Sequence, residues 1–149
     1  MMDIDLSTLT PRSILVCQLK QIGDVVISTA MVELLARRYP EAEIHFLTEA
    51  RSAPILENNP HLTQVWKVDK TRNLLADFAF TRRVARHGFD LLVDFQQLPR
   101  TRRIAILSPA PVRLSIRSKW YKQFPYTHLV EMRKGGYAGR FKAQLLAPL

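Results

Sequence analysis

The hydrophobic pattern alternates between short apolar runs and helical periods. Ile14-Leu15-Val16-Cys17 is a continuous apolar run, which predicts a strand buried on both faces of a parallel sheet. A polar turn from Gln18 to Gly23 follows. Asp24 is then expected to open a helix, because Ile27, Met31, Leu34 and Leu35 recur at helical spacing. Glu33 and Arg37 are spaced to pair on its solvent face, and Pro40 marks its end.

The alternation continues along the chain. Ala42 to Thr48 predicts a second strand, Ala53 to Glu57 a short helix, and Asn58-Asn59-Pro60 a turn. Val65 to Val68 alternates as a more exposed strand does. Thr71 to Arg86 predicts a basic amphipathic helix with Leu74, Leu75, Phe78 and Ala85 toward the core, closed by His87-Gly88. Asp90 to Asp94 reads as another buried strand and Val112 to Ile116 as the last. Beyond it the pattern weakens, until Gly135 to Gly139 leads into a helix over Arg140 to Leu146. That glycine-rich run reads as a flexible helix entry or an anion nest.

Strands alternating with helices predict an α/β class, a Rossmann-like and mainly parallel sheet with flanking helices and right-handed crossovers. Residues 1–12 read as a lead-in and 13–149 as one domain. The final helix stops abruptly at Ala147-Pro148-Leu149, so the chain is expected to be the first half of something longer.

Composition changes this picture in one respect. The 149 residues carry 22 basic and 13 acidic side chains, a net charge of +9. Such an excess implies an anionic partner: nucleic acid, a phosphorylated ligand or an acidic membrane surface. The single cysteine, Cys17, rules out an intrachain disulfide and fits a reducing, cytoplasmic compartment. No apolar run approaches the roughly 20 residues of a membrane span. The N-terminus lacks the basic-then-apolar layout of a signal peptide.

Several chemistries lack their motifs. Neither Gly-x-Gly-x-x-Gly nor Gly-x-x-x-x-Gly-Lys-Ser/Thr occurs, so the first turn has no usual phosphate cradle. No Gly-x-Ser-x-Gly elbow occurs. His45, His61, His87, His128 and Cys17 show no ligand spacing, and no metal site is expected.

The candidate chemistry lies at the ends of two buried strands. Gly23 and Asp24 follow the first. Glycine there suits a turn and aspartate a helix cap. Alternatively, Asp24 is a general base: the helix dipole would keep it ionised, and the strand's carboxyl edge would aim it into a cleft. Lys20 and Gln21, in the same turn, read as solvated loop residues or as an ammonium and an amide aimed at an anionic, hydroxyl-rich ligand. Gln96 and Arg100 follow the second strand and would reach the same edge. With Arg102 and Arg103, Arg100 is either part of a solvated helix face or a clamp for carboxylate or phosphate. Trp66, Trp120 and Tyr121 are expected to pack rather than to stack on a ligand.

Residues 14–30 (Ile-Leu-Val-Cys-Gln-Leu-Lys-Gln-Ile-Gly-Asp-Val-Val-Ile-Ser-Thr-Ala) and 37–44 (Arg-Arg-Tyr-Pro-Glu-Ala-Glu-Ile) resemble the start of glycosyltransferase family 9, the lipopolysaccharide heptosyltransferases. Phe-Asp-Leu-Leu-Val-Asp-Phe-Gln (89–96) resembles that family's second signature, Asp-x-Gln-Gly after a strand. The resemblance runs in order over roughly residues 13–116. It implies the N-terminal half of a GT-B glycosyltransferase, the half that binds a lipid A–core acceptor. ADP-heptose would bind a C-terminal donor domain that this chain does not contain, and no cofactor is implied. The family's base, the aspartate of Gly-Asp, matches Asp24; a family lysine or arginine thought to contact acidic acceptor groups matches Arg100. Gln97 stands where the family has glycine, and Leu19, Lys20 and Gln21 stand where many members carry small hydroxyl residues.

The resemblance therefore implies inverting heptosyl transfer to the lipopolysaccharide inner core, with acceptor contacts at Lys20, Gln21, Gly23, Gln96 and Arg100. The chain alone would be inactive, and peripheral on an anionic membrane face. Two alternatives remain open from sequence. One is a basic nucleic-acid-binding module, motivated by the charge and by aromatics between Arg113 and Arg133, although no nucleic-acid motif is present and none is the expected partner. The other is a non-catalytic remnant or partner subunit.

Overall fold

The computed structural model describes residues 4–70 and 73–149. Six strands form one sheet: β1 (Ser13–Cys17), β2 (Glu43–Glu49), β3 (Gln64–Val68), β4 (Leu91–Asp94), β5 (Val112–Ile116) and β6 (His128–Val130). All pair in parallel, in the order β3-β2-β1-β4-β5-β6. The helices are α1 (Ile22–Arg38), α2 (Leu74–Ala85), α3 (Pro99–Leu107), α4 (Trp120–Gln123) and α5 (Ala138–Leu146). This is the doubly wound arrangement, in which the order reverses between β1 and β4.

The continuous apolar run of β1 is explained by its position at the centre. Ile14 and Val16 face one layer, with Val25, Val32 and Leu35 of α1 and Leu145 of α5. Leu15 and Cys17 face the other, with Val84 and Ala85 of α2 and Ile104 and Ala105 of α3. Period-2 alternation sends successive side chains to opposite faces, and both faces are covered. Burial and the neighbouring Asp94 push the Cys17 thiol well above its ordinary range, so it behaves as an inert core residue. No described helix is long and apolar enough to cross a membrane.

The sequence pattern missed β6 and α4, because three half-buried residues and one helical turn carry too little periodicity. The short helix near residue 53 is a 3-10 turn, Ala53–Ile55. Residues 71 and 72, on which the second helix was expected to begin, lie outside the described residues. Glu33 and Arg37 pair as spaced, at 2.5 Å.

One orientation is reversed. Leu74, Leu75 and Phe78 do not face the core; they are 81%, 82% and 57% exposed. The inward face of α2 is instead Asp77, Thr81, Val84 and Ala85. The cause is Asp77, which ion-pairs with Arg100 (3.0 Å) and Arg103 (3.2 Å) of α3 and so turns that face of the helix inward. Trp120 likewise is 82% exposed rather than packed, and Leu34 of α1 is exposed.

The carboxyl edge of the central strands is built on Asp94, which is fully buried. Its carboxylate accepts the backbone N–H groups of Gln96 (2.9 Å) and Gln97 (3.0 Å) and the hydroxyl of Tyr126. Burial raises the Asp94 carboxyl above its ordinary 3.8, against the pull of these hydrogen bonds. Asparagine can still accept both backbone N–H groups, whereas alanine orphans them. Asp94→Ala is therefore expected to cost at least about 2 kcal/mol more than Asp94→Asn in urea unfolding. The pH dependence has a definite sign. As pH rises above 3.8, the unfolded carboxyl ionises while the folded one still holds its proton, so stability falls until the folded group ionises too. Asp94→Asn removes that fall, so the variant should gain on the parent as pH rises from below 3.8 toward neutral. A constant difference across that range would show that the site carries no such penalty.

Candidate functional site

The β1–α1 loop is held from both sides by glutamines. Gln96 Oε1 accepts the N–H groups of Leu19 (2.9 Å) and Lys20 (3.0 Å), and its Nε2 donates to the Lys20 carbonyl (3.2 Å). Gln18 Nε2 donates to the same carbonyl at 3.1 Å. The Gln96 amide is thus spent on the loop rather than held free for a ligand. Gln21 takes φ of +67°, a sparsely populated conformation for a residue with a Cβ. Such backbone strain, of order 1–3 kcal/mol, clusters at functional loops.

The helix start differs from the capping arrangement. Gln21, not Asp24, occupies the N-cap, and it makes no side-chain cap bond. Gly23 does not form the turn; it lies inside α1, and a Cβ built on it meets nothing within 4 Å. Asp24 is the third helical residue, its side chain 36% exposed, with Oδ1 3.8 Å from Nζ of Lys142.

Sequence reasoning did not single out Lys142. It lies on α5, far from Asp24 along the chain, and the α1–α5 packing brings the two together. Its Nζ donates to Gln18 Oε1 (2.5 Å) and Ser28 Oγ (3.2 Å) and lies 5.2 Å from the centre of the Phe95 ring. Burial lowers its pKa, while Asp24 pulls it back up. A lysine in line with the apolar residues of a helix, Leu145 and Leu146, was the available signal.

Two clefts open along this edge. One, of about 350 Å³, is lined by Gln18, Asp24, Phe95, Gln96, Phe141 and Lys142, among others. The second, of about 310 Å³, is lined by Lys20, Glu49, Lys70, Arg100 and Arg103, among others. Leu98 lines both. The expected site residues are therefore divided: Asp24 and Gln96 in the first cleft, Lys20 and Arg100 in the second. Arg100 is not a free clamp, since it is paired with Asp77 and donates to the Asp69 carbonyl at 3.2 Å. Arg102 donates to the carbonyls of Tyr121 and Phe124, and Arg113 to those of Ala110 and Pro125. These guanidiniums hold loops together and are poorly placed to follow a nucleic-acid backbone. Lys20 is exposed and makes no side-chain hydrogen bond or ion pair among the described residues. A larger hollow, about 570 Å³, lies between α1 and α5 around Met31, Leu34 and Tyr137.

The usual glycine after Gln96 has a structural meaning. Gln97 adopts φ of +53°, the left-handed region that glycine enters without cost. Its buried amide compensates by donating to the Ile116 carbonyl (2.6 Å) and accepting the Ser118 hydroxyl, which ties the β4 loop to the β5 loop.

Elsewhere, the fold gathers Glu43, His45 and His87, a grouping that spacing did not reveal; their ligand atoms lie within 4.8 Å of one another. His45 Nδ1 accepts the Trp66 indole N–H at 3.0 Å. Neutral His45 therefore carries its proton on Nε2, the one atom that would face an ion. Burial and His87 both lower the His45 pKa, so the ring stays neutral and serves the aromatic packing with Trp66 and Phe89.

The strand order, the switch between β1 and β4 and the clefts at the carboxyl edge define a Rossmann-like α/β domain. No family model matches the chain. Curated proteins similar to it include lipopolysaccharide heptosyltransferase 3 of Escherichia coli, 28% identical over 138 residues, covering 85% of this chain and 40% of that protein. The protein of the same name from strain K12 is 23% identical over 129 residues, covering 73% and 37%. Among solved structures, a family 9 glycosyl transferase from Veillonella parvula DSM 2008 superposes with a TM-score of 0.81 at 22% identity, covering 98% of this chain and 42% of that one. E. coli heptosyltransferase WaaC with ADP superposes at 0.74 and 16% identity, covering 91% and 46%. The curated matches bear out the resemblance to glycosyltransferase family 9, and the structural ones bear out the fold. The chain spans about two fifths of the length of the curated relatives it matches.

The glutamine anchor yields a direct expectation. Gln96→Ala removes three hydrogen bonds to the β1–α1 loop, each worth about 0.5–1.5 kcal/mol. Amide exchange at Leu19 and Lys20 should accelerate by about tenfold or more while exchange in the core strands is unchanged. Equal protection in both proteins would mean that the loop is held without Gln96.

Proposed function

We propose that the chain is the acceptor-binding half of an inverting glycosyltransferase that moves heptose from ADP-heptose to the lipopolysaccharide inner core. It would act at the cytoplasmic face of the membrane. The observation that carries this reading is Asp24, a partly exposed carboxylate in a cleft at the carboxyl end of β1, beside the unfilled space over Gly23 and the ammonium of Lys142. The heptosyltransferase relatives supply the reaction class.

In this reaction an acceptor hydroxyl attacks the anomeric carbon from the side opposite the nucleotide. Its proton passes to Asp24, and the carbon–oxygen bond to ADP breaks with inversion. Lys142, 3.8 Å from its Oδ1, orients Asp24. Lys20, a cation of the second cleft with no side-chain partner among the described residues, meets acidic groups on the acceptor, a role for which Arg100 is less free. Gln96 positions the loop that carries Lys20 and Gln21. The donor and its diphosphate belong to the half outside this chain, so this scheme gives the described residues no cofactor to bind.

Three results would test the scheme. In a complete enzyme containing this domain, Asp24→Asn should lower transfer by about 10²–10⁴-fold while leaving acceptor affinity nearly unchanged. Turnover within about a factor of two of the parent would leave Asp24 with no role in proton transfer. In the 149-residue chain, Gly23→Ala should leave thermal stability equal or up to about 1 kcal/mol higher, since alanine favours helix. The same change should weaken binding of a soluble inner-core oligosaccharide in calorimetry, by filling the space the acceptor approaches; unchanged affinity would place the acceptor elsewhere. The chain alone should transfer nothing and bind ADP-heptose little. Submicromolar ADP-heptose affinity would overturn this division between the halves.

A further inference from the structure

Helix α2 is amphipathic in the wrong sense for a core helix. Its apolar residues Leu74, Leu75 and Phe78 point outward, and its acid, Asp77, points inward. Leu74 and Phe78 lie one turn apart and Leu75 lies beside them, so the three form one stripe, with Arg82 a further turn along. A second exposed apolar group, Trp120 and Phe124 (82% and 70% exposed), stands at α4. The two groups belong to one layer. Asp77 of α2 holds Arg100 and Arg103 of α3, and Arg102 of α3 holds the carbonyls of Tyr121 and Phe124. Both groups also sit toward the carboxyl edge, because α2 and α4 begin just after β3 and β5 end.

The charge on this layer has one sign. Helices α2, α3 and α4 contain six basic residues, Arg82, Arg83, Arg100, Arg102, Arg103 and Lys122, and one acid. That acid, Asp77, is buried against two of the arginines. We propose that the α2–α4 corner docks on an anionic lipid bilayer. Leu74, Leu75, Phe78 and Trp120 enter the interface, while Arg82, Arg83 and Lys122 lie among the headgroup phosphates.

Charge and side-chain chemistry both favour lipid over a protein partner. The core of a protein interface is depleted of charge, and cations without a carboxylate partner around an apolar stripe would be costly there. A bilayer surface supplies the matching anions and takes up apolar and indole groups at headgroup depth. Docking would also bring the Asp24 cleft, on the same sheet edge, to the lipid surface. That last link rests on the reading of Asp24 above; the docking does not.

The chain carries its own reporter. Trp66 is buried with its N–H on His45, and Trp120 is exposed, so an emission shift on adding vesicles reports Trp120. With vesicles of phosphatidylcholine containing about 30% phosphatidylglycerol, the parent should sediment with lipid, shift its emission to the blue and release in high salt. Pure phosphatidylcholine should bind it weakly. The variant Leu74→Ser/Leu75→Ser/Phe78→Ser should lose about 30-fold or more in partitioning, with an unchanged unfolding midpoint because all three side chains are exposed. Leu34→Ser, on the opposite layer, should bind as the parent does.

No vesicle binding by the parent, equal binding by the triple variant, or binding without an emission shift would each overturn the proposal. So would a triple variant whose only change is from dimer to monomer, which would make the stripe a contact between copies. Binding of a soluble acceptor fragment is measured separately, so failure of docking leaves the Asp24 reading standing, and the reverse.

Discussion

Asp94 ends β4 with its carboxylate sealed from solvent, and the geometry of the carboxyl edge descends from it. By accepting the N–H groups of Gln96 and Gln97, it turns the chain sharply out of the sheet and sends those two side chains in opposite directions. Gln96 goes to the β1–α1 loop and Gln97 to the end of β5. The Tyr126 hydroxyl brings in the segment before β6. A buried charge is costly unless its lone pairs are satisfied, and here the donors that satisfy it belong to the loops that form the clefts. Site and fold therefore share one polar network.

This network separates the cleft that holds Asp24 and Lys142 from a cationic one. Asp24 and Lys142 face each other across the α1–α5 packing, in surroundings dry enough to weaken the lysine's hold on its proton. Lys20, Lys70, Arg100 and Arg103 gather on the far side of Leu98, where Asp77 and Glu49 temper their charge. The arginines that look most like ligand clamps in the sequence are largely structural, because a guanidinium in a tight layer is the best available partner for a buried carboxylate or a bare loop carbonyl. The net charge of +9 thus overstates the cation free to meet a ligand.

The two helical layers are unequal. On one side α1 and α5 fill the core with Val25, Val32, Leu35 and Leu145. On the other, α2 contributes chiefly Val84 and Ala85 and turns its larger apolar residues to the outside. The ion pairs from Asp77 to α3 make that orientation possible. Inverting the helix would bury three large side chains but break both ion pairs and leave Arg100 and Arg103 without a carboxylate partner.

The strands from β1 to β5, the order of helices and the sheet class were legible in the sequence, because a central parallel strand must be apolar on both faces and a covering helix must repeat its apolar residues every turn. The placement of Asp24 and Gln96 beyond the carboxyl ends of β1 and β4 was legible too, since each follows its apolar run. The sequence pattern did not reveal β6 and α4, too short to carry a period, or the outward face of α2, whose periodicity is the same whichever way the helix is turned. Nor could it pair Asp24 with Lys142, give Gln96 its anchoring task, or tie Arg100 to Asp77. Local spacing encodes which residues share a face, whereas the partner that each face meets is chosen by packing between segments distant along the chain. Only the assembled tertiary structure makes that choice, because only there is each buried charge matched to the donor that offsets its lost water.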